Sequence, residues 1–547
     1  MRNLLVVLYR KYYGFIIFAL AILVRLIFLY QWSGTPYFAH FNADAYVHDV
    51  WANAIASGEI IRHTAFYQSP LYPYLLAIGY KLFGHHYWPV YIVQAFLDAA
   101  SCVLIAMSAR MIFNRRTALL AGIIAALYVP FIFNTGLLLK ETLTVFCVAS
   151  FLFFFLKSIQ KNIEDGKRLV FSFAWGAMLG AAALSRPNMT GIFVFAALWI
   201  IVSLYPDILS LKIRKIVAIV KENSDGVRTV IKRNILPAFL GMLLLLLPQT
   251  IHNAIASRDF VLFNYAGGFV FYLGANPYAT GIIKYPPGIT SAPLDEERQI
   301  YEIAKNEMGR SLKPSEVSSF WFKEGLKFVK DNPRRFFLLT LGKFLLFWNK
   351  YEVPDNYDIS FIRRHFPSVI SLPLFGYGLV AAFGIFGLFM CGIRRRCGIL
   401  PVLFVPYILS LMPFIISDRY RIPAVVLLIP AAAYAVNRLY VKFLSDAGKV
   451  LPAILCSLFF WIIIALPTPC DPVYAEAVGY ADLSCKYAEG GEYLKASKCF
   501  EQAEALNPDA VGNFAAMCAA YSYRQLGRDG SMRRVSKTYD VDISGMD

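Results

Sequence analysis

The sequence predicts an all-α, polytopic membrane protein, and three observations carry that prediction. Of its 547 residues 58% are hydrophobic and only 16% charged; the mean hydropathy is +0.53; and apolar runs of about 17–25 residues, the length a helix needs to cross hydrocarbon, recur along the chain. A soluble core of this size would need far more polar surface to cover it. Disorder is excluded by the 45 Phe, 33 Tyr and 8 Trp available for burial.

Taken in order, the apolar runs predict spans near 13–32, 88–109, 117–133, 137–156, 169–185, 189–205, 235–252, 370–393, 398–416, 422–437 and 450–467. About eleven crossings place the two chain ends on opposite sides, and charge says which is which. Segments 1–12, 110–116, 157–168, 206–233, 394–396 and 438–449 hold 23 Lys/Arg against six Asp/Glu, so they carry the whole net charge of +17. By the positive-inside rule these segments and the N-terminus are cytoplasmic. Loops 33–87 and 253–369 and the tail from 468 then lie outside. The basicity is therefore a topology signal, and a nucleic-acid surface is excluded.

The first span, preceded by Arg2, Arg10 and Lys11, runs into Gln31-Trp32-Ser33-Gly34 without a small-x-small cleavage site, as an uncleaved signal anchor does. Two runs, 71–83 and 336–349, are too short to cross and are expected to lie along the membrane surface within outer loops. The cysteines within or beside spans read as small apolar residues. Cys470, Cys485, Cys499 and Cys518 in the tail would allow up to two disulfides in an oxidising space, in any of three pairings.

The tail has its own periodicity. Tyr480, Leu483, Tyr487, Ala496, Phe500, Ala503 and Pro508 fall at the offsets of a 34-residue tetratricopeptide repeat, and Phe514, Met517, Cys518 and Tyr521 restart the register. The expected division is a membrane domain over 1–467, a tetratricopeptide-like helical module over 468–527 and a disordered tail over 528–547. One and a half repeats rarely stand alone, so the module is expected to dock on the membrane domain or on a protein partner.

Charged residues at span ends gather on the side assigned as outer: Asp44, His48 and Asp49 after the first span, Lys140 and Glu141 at the fourth, Arg186 ending the fifth, and Asp418, Arg419 and Arg421 before the tenth. Ionisable groups near lipid pair or line a cavity, although a lone Lys or Arg there is ordinarily a snorkelling charge. Arg and Lys at this depth suit an anionic lipid head such as a phosphate. A facing carboxylate suits a general base for an incoming hydroxyl. Together they describe a group transfer in which a lipid phosphate leaves and an alcohol attacks.

Asp44-Ala45-Tyr46, then Tyr67-Gln68-Ser69-Pro70-Leu71-Tyr72-Pro73, then Phe83-Gly84 resemble the start of the dolichyl-phosphate-mannose protein mannosyltransferase-like family, which is similar in fold to lipid A aminoarabinose transferases of the C superfamily. Lys140-Glu141-Thr142-Leu143, Ala183-Leu184-Ser185-Arg186-Pro187, Gly274-Ala275-Asn276-Pro277, Asn332-Pro333 with Lys343, and Arg419-Tyr420-Arg421-Ile422-Pro423 continue the resemblance over roughly residues 10–440. It implies an inverting glycosyltransferase taking a sugar from a polyprenyl-phosphate carrier at the outer face, with a lipid, glycan or protein acceptor. Asp44 is the implied catalytic carboxylate and Glu141 the second acid. Arg186, Arg419 and Arg421 are the implied donor-phosphate contacts, with Lys140 beside them and His48 and Asp49 a helical turn from Asp44. No metal site is assigned, since Asp44 and His48 are too few ligands, but a divalent cation stays open. A bacterial inner membrane is the expected location. A polymerase or ligase using a carrier diphosphate, a lipid-sugar transporter and a non-catalytic scaffold are the alternatives. A transporter would want charges in the middle of spans, where only Arg25 stands out.

Overall fold

The computed structural model describes residues 2–204, 224–289, 293–392, 396–445, 458, 460–462, 464–466 and 471–543. The chain runs through α1 (Arg2–Trp32), α2 (Ala43–Ala56), α3 (Leu71–Phe83), α4 (Tyr87–Ile112), α5 (Arg115–Ala126), α6 (Val129–Asn134), α7 (Glu141–Ser158), α8 (Asp165–Ser185) and α9 (Thr190–Leu204). There follow α10 (Ser224–Val230), α11 (Leu236–Ser257), α12 (Gly267–Gly274), α13 (Pro293–Met308), α14 (Pro314–Asp331), α15 (Pro333–Trp348), α16 (Ile359–His365), α17 (Tyr377–Cys391), α18 (Ile399–Leu411) and α19 (Asp418–Ser445). The chain closes with α20 (Pro472–Glu489), α21 (Tyr493–Leu506), α22 (Asn513–Gln525) and α23 (Asp529–Tyr539). Among the described residues there is no strand, only an isolated bridge between Tyr128 and Phe375.

Among the described residues, six helices are long and apolar enough to cross a membrane: Tyr12–Trp32, Tyr87–Ile112, Glu141–Ser158, Asp165–Ser185, Asp225–Ser257 and Asp418–Val441. Three shorter apolar helices, Pro187–Ser203, Tyr377–Cys391 and Ile399–Leu411, fall on the spans expected at 189–205, 370–393 and 398–416. The span expected at 450–467 lies mostly outside the described residues, as do most of the loop 206–233, parts of 394–396 and 438–449, and Cys456 and Cys470. The two runs expected along the surface are the helices α3 and α15.

Span 117–133 departs from expectation, because it is two helices. α5 stops at Ala126, Val129 donates to Phe375 O at 3.0 Å, and α6 restarts with Pro130, which has no N–H to continue the ladder. At the end of α5 Arg25 takes the carbonyls, its guanidinium donating to Ala126 O and, at 3.4 Å, to Ala125 O, which also accepts from Tyr128 N. Its Nε donates to Asp98 at 2.6 Å, and both side chains are almost wholly buried. Asp98 is thus a second charge within the spans, beside Arg25, and each neutralises the other. Breaking a buried pair from one side strands a charge at about 3–5 kcal/mol. Asp98→Ala is therefore expected to lower the melting temperature in detergent sharply; a shift of under a few degrees would show that the pair is not what closes this break.

Span 137–156 also starts late. Residues 135–140 form a buried non-helical passage whose carbonyls are satisfied by side chains: Gln94 Nε2 donates to Thr135 O at 3.0 Å and Leu137 O at 2.9 Å, and His48 Nδ1 bonds Leu138 O at 2.9 Å. Helix α7 then begins at Glu141. Close helix packing is clearest between α8 and α11, where a Cβ added at Gly176 would come within 1.8 Å of Ala238 O and one at Gly241 within 2.2 Å of Phe173 O.

The C-terminal helices pack against the Phe41-Asn42 turn and against α16. Of the tail positions named above, Leu483, Ala496, Phe500 and Ala503 are buried, Tyr480 and Tyr487 are half-buried and Pro508 is exposed. The expectation of a disordered 528–547 is corrected over its described part, since α23 spans Asp529–Tyr539. Val535 is fully buried, and Arg534 forks onto Glu504 at 2.7 and 2.9 Å, which anchors a segment whose composition alone reads as polar. Cys485, Cys499 and Cys518 are free thiols, so no disulfide forms among the described cysteines.

Candidate active site

The site is made where the start of α2, the start of α7, the end of α8, the segment 349–358 and the start of α19 meet. Asp44 lies in the first turn of α2, just after Ala43, whose φ of +41° is held in a sparsely populated region. Its backbone N donates to Asn356 Oδ1 at 2.9 Å. Its carboxylate accepts from Gln68 Nε2 at 3.2 Å and from Arg419 Nη1 at 2.8 Å.

Arg419, in the first turn of α19, is the hub. Besides Asp44 it meets Asp355 at 3.0 Å and Glu141 at 3.6 Å, and it is only 9% exposed. Arg186 closes α8 immediately before Pro187. A residue preceding proline is pushed out of the helical region, here to φ −144° and ψ 98°, and this turns its side chain toward the hub. Its Nη2 donates to Glu141 Oε1 at 2.9 Å and to Arg419 O at 3.0 Å, while the guanidinium lies 4.6 Å from the Tyr420 ring centre. Glu141 is fully buried at the N-terminus of α7, where the helix dipole favours a negative charge. Its second oxygen has no hydrogen-bond partner.

The electrostatics follow from burial against neighbours. Burial alone would raise the Asp44 carboxyl, but Arg419, with His48 and Lys140, outweighs it and holds the group well below the usual carboxylate range. Burial lowers His48, against the pull of Asp44, so the ring is neutral at physiological pH. Since Leu138 O can only accept, Nδ1 carries the proton and Nε2 is left as an acceptor. Burial and Arg186 push the Lys140 ammonium down to about 8, against Asp44 and Glu141. Lys140 is therefore a cation below that pH and loses its charge as pH rises through it. Binding of an anion here is expected to weaken on the alkaline side by about tenfold, the scale of a charged hydrogen bond worth roughly 1.5–3 kcal/mol. Lys140→Arg should abolish that limb in a titration of donor KM against pH; an unchanged limb would remove Lys140 from the binding set.

Of the residues singled out in the sequence, Asp44, Lys140, Glu141, Arg186 and Arg419 come together, with His48 beside them. Two do not join. Arg421 is buried on the other side of α19, with its terminal nitrogens donating to Asn349 O and Tyr351 O, both at 2.9 Å, and to Leu346 O, and with Glu352 at 3.7 Å, so it closes the end of α15. Asp49 faces α3, bonded by the Tyr80 hydroxyl and by His85 Nε2 at 2.9 Å. Among the described residues no three His, Cys, Asp or Glu side chains converge to hold a metal ion.

Three residues were missed. Gln68 lies in the quoted Tyr67-Gln68-Ser69-Pro70 run, which was its signal. Asp355 and Asn356 sit in Pro354-Asp355-Asn356-Tyr357-Asp358, which reads only as a turn leading to the Asp358 cap of α16. Beside the site, Glu296 of α13 accepts from the hydroxyls of Tyr67 and, at 2.7 Å, Tyr285. Burial raises its carboxyl against those two bonds, and the negative charges of Asp44 and Asp355 add to the rise.

Residues 67–220 match the family model of dolichyl-phosphate-mannose-protein mannosyltransferase, a stretch that contains Lys140, Glu141 and Arg186. No curated protein matches the chain. Among solved structures it is similar to ArnT from Cupriavidus metallidurans bound to undecaprenyl phosphate, at 14% identity and a TM-score of 0.46, covering 96% of this chain and 80% of that one. It is also similar to the Archaeoglobus fulgidus oligosaccharyltransferase in the apo form, at 14% identity and a TM-score of 0.45. The same archaeal enzyme in complex with an inhibitory peptide and a dolichol-phosphate gives 14% and 0.41; each comparison covers 97% of this chain and 69% of that one. Likenesses this loose carry no weight for the chemistry. The family match agrees with the motif resemblance: over residues 67–220 this chain is similar to the dolichyl-phosphate-mannose-protein mannosyltransferases.

Proposed function

We propose that the protein is an inverting glycosyltransferase that takes a sugar from a polyprenyl-phosphate carrier and delivers it to an acceptor hydroxyl at the outer face of a bacterial inner membrane. The observation that carries this reading is the 2.8 Å contact between Asp44 and Arg419, which sets a base against a phosphate-binding cation in one buried cluster. The acceptor oxygen attacks the anomeric carbon, its proton passes to the Asp44 carboxylate, and the bond from that carbon to the carrier phosphate breaks with its electron pair leaving on the phosphate. One displacement gives one inversion. Arg419, Arg186 and Lys140 supply fixed positive charge where the leaving phosphate gains its negative charge.

The same geometry accounts for timing. A carboxylate held low by a guanidinium is a weak base. A phosphate that draws on Arg419 loosens that hold, so Asp44 gains basicity when the donor is seated. Glu141, buried and paired with Arg186, acts by orienting that arginine. Residues 1–467 form the transfer domain in this reading, with the C-terminal helices as an accessory module. The outer placement rests on the charge distribution of the loops.

The test supplies purified protein with a panel of polyprenyl-phosphate-linked sugars and follows the lipids by chromatography. Consumption of one donor with equal release of polyprenyl phosphate is expected. Release of a polyprenyl diphosphate from a glycan-bearing carrier would favour the ligase, and no consumption of any lipid-linked donor would sink the reading. Sidedness is checked at the exposed Ser57: Ser57→Cys should react with a membrane-impermeant maleimide in intact cells stripped of outer wall, and labelling only after permeabilisation would invert the orientation.

A further inference from the structure

We propose that the C-terminal helical module is part of the catalytic apparatus, with Asp482 and Lys486 of α20 as positioning residues that hold the turn Phe41-Asn42-Ala43 and, through it, Asp44. The inference rests on the role of Asp44 proposed above.

The contacts form one short chain. Asp482 Oδ2 accepts from Asn42 Nδ2 at 2.8 Å, and the same amide donates to Asn356 O at 3.2 Å. Lys486 Nζ donates to Phe41 O at 2.8 Å and pairs with Glu489 at 3.0 Å; the lysine is only 3% exposed. Asn42 N donates to Tyr357 Oη at 3.2 Å, and the next residue but one, Asp44, is tied through its backbone to Asn356. The turn is therefore clamped from two sides, by the 356–357 segment and by α20.

Two physical points make this more than a docking contact. Ala43 sits at a positive φ, which a non-glycine residue keeps only where its surroundings over-determine it. The clamp falls on the two residues immediately before that strained position, three and two residues before Asp44. Second, the module has a separate seat. Glu476 pairs with Arg364 and, at 2.6 Å, with His365, and Gly479 lies against the Phe361 ring, where a Cβ would come within 2.4 Å of the ring. A module that only needed to dock would not require a buried ammonium and a carboxylate on the turn that leads to the base.

The experiment uses the full chain with Asp482→Ala and Lys486→Met, measuring kcat, donor KM and hydrogen exchange of the 40–48 segment. A misplacement of about 1 Å costs up to roughly 100-fold, so kcat is expected to fall about ten- to a hundredfold. Donor KM should stay within about twofold, because Lys140, Arg186 and Arg419 are untouched, and exchange over 40–48 should quicken. Asp482→Asn, whose amide oxygen still accepts from Asn42, should restore most of the rate. Folded variants with wild-type kcat would overturn the inference. Variants that fail to fold would equally overturn it, by making the contacts structural only. Asp44→Asn run alongside separates the two readings: if it transfers sugar normally, the role of Asp44 falls, whereas if it is inactive while Asp482→Ala is normal, only the positioning role falls.

Discussion

Asp44→Asn is expected to lower kcat for sugar transfer by roughly 10²–10⁴-fold, the range attributed to a general base, while leaving donor KM nearly unchanged. Asparagine has the same shape and can still accept from Arg419 Nη1, and the tie from the backbone at 44 to Asn356 does not involve the side chain. What it cannot do is take the acceptor proton. The pH profile of the wild type adds a signed expectation. Arg419 keeps the free-enzyme carboxylate ionised well below its usual range, so the acid limb of kcat/KM should lie low. When the phosphate shares Arg419 the carboxyl pKa rises, so the acid limb of kcat should stand at higher pH. Coincident limbs would mean that Asp44 and the phosphate do not compete for the same guanidinium.

Arg419→Gln should cost about 10²–10³-fold in kcat, the scale of removing one preorganised donor from a developing charge, and should also weaken the fold. Asp44, Glu141 and Asp355 all lean on this one cation, and uncovering buried carboxylates costs on the order of 3–5 kcal/mol. Arg419→Lys is expected to recover part of the stability and little of the rate, since an ammonium cannot fork among several oxygens. Arg421→Met is the contrast two residues away. Its partners are the carbonyls of Leu346, Asn349 and Tyr351 and, at 3.7 Å, the Glu352 carboxylate, so melting temperature should drop while folded enzyme keeps its rate. A rate loss as large as that of Arg419→Gln in folded Arg421→Met would place Arg421 back among the phosphate contacts.

The contrast between these two arginines marks where sequence reading stops. Span-end charges could be sorted by side from hydropathy and loop charge, and that sorting brought Asp44, Lys140, Glu141, Arg186 and Arg419 into one cluster. Yet Arg419 and Arg421 are two positions apart on a helix and point roughly 200° apart about its axis, from about 3.6 residues per turn. No motif says which of them faces the cluster. Asp355 and Asn356 were missed because a loop residue has no periodicity to betray its direction. The broken span at 127–128 was missed because hydropathy sees apolar character and not hydrogen bonding; Arg25, Asp98 and Gln94 are the residues that satisfy or replace the missing ladder. The helix over 529–539 escaped notice for the same kind of reason, since its anchor, Arg534 on Glu504, is tertiary.

Native mass spectrometry of detergent-purified Asp44→Asn beside wild type tests the central claim most directly. The account predicts that the variant carries a lipid with the mass of a sugar-bearing polyprenyl phosphate, because donor binding survives and transfer does not, while wild type exposed to acceptor carries polyprenyl phosphate alone. Bulk phospholipid alone in both proteins, across repeated preparations, would contradict it.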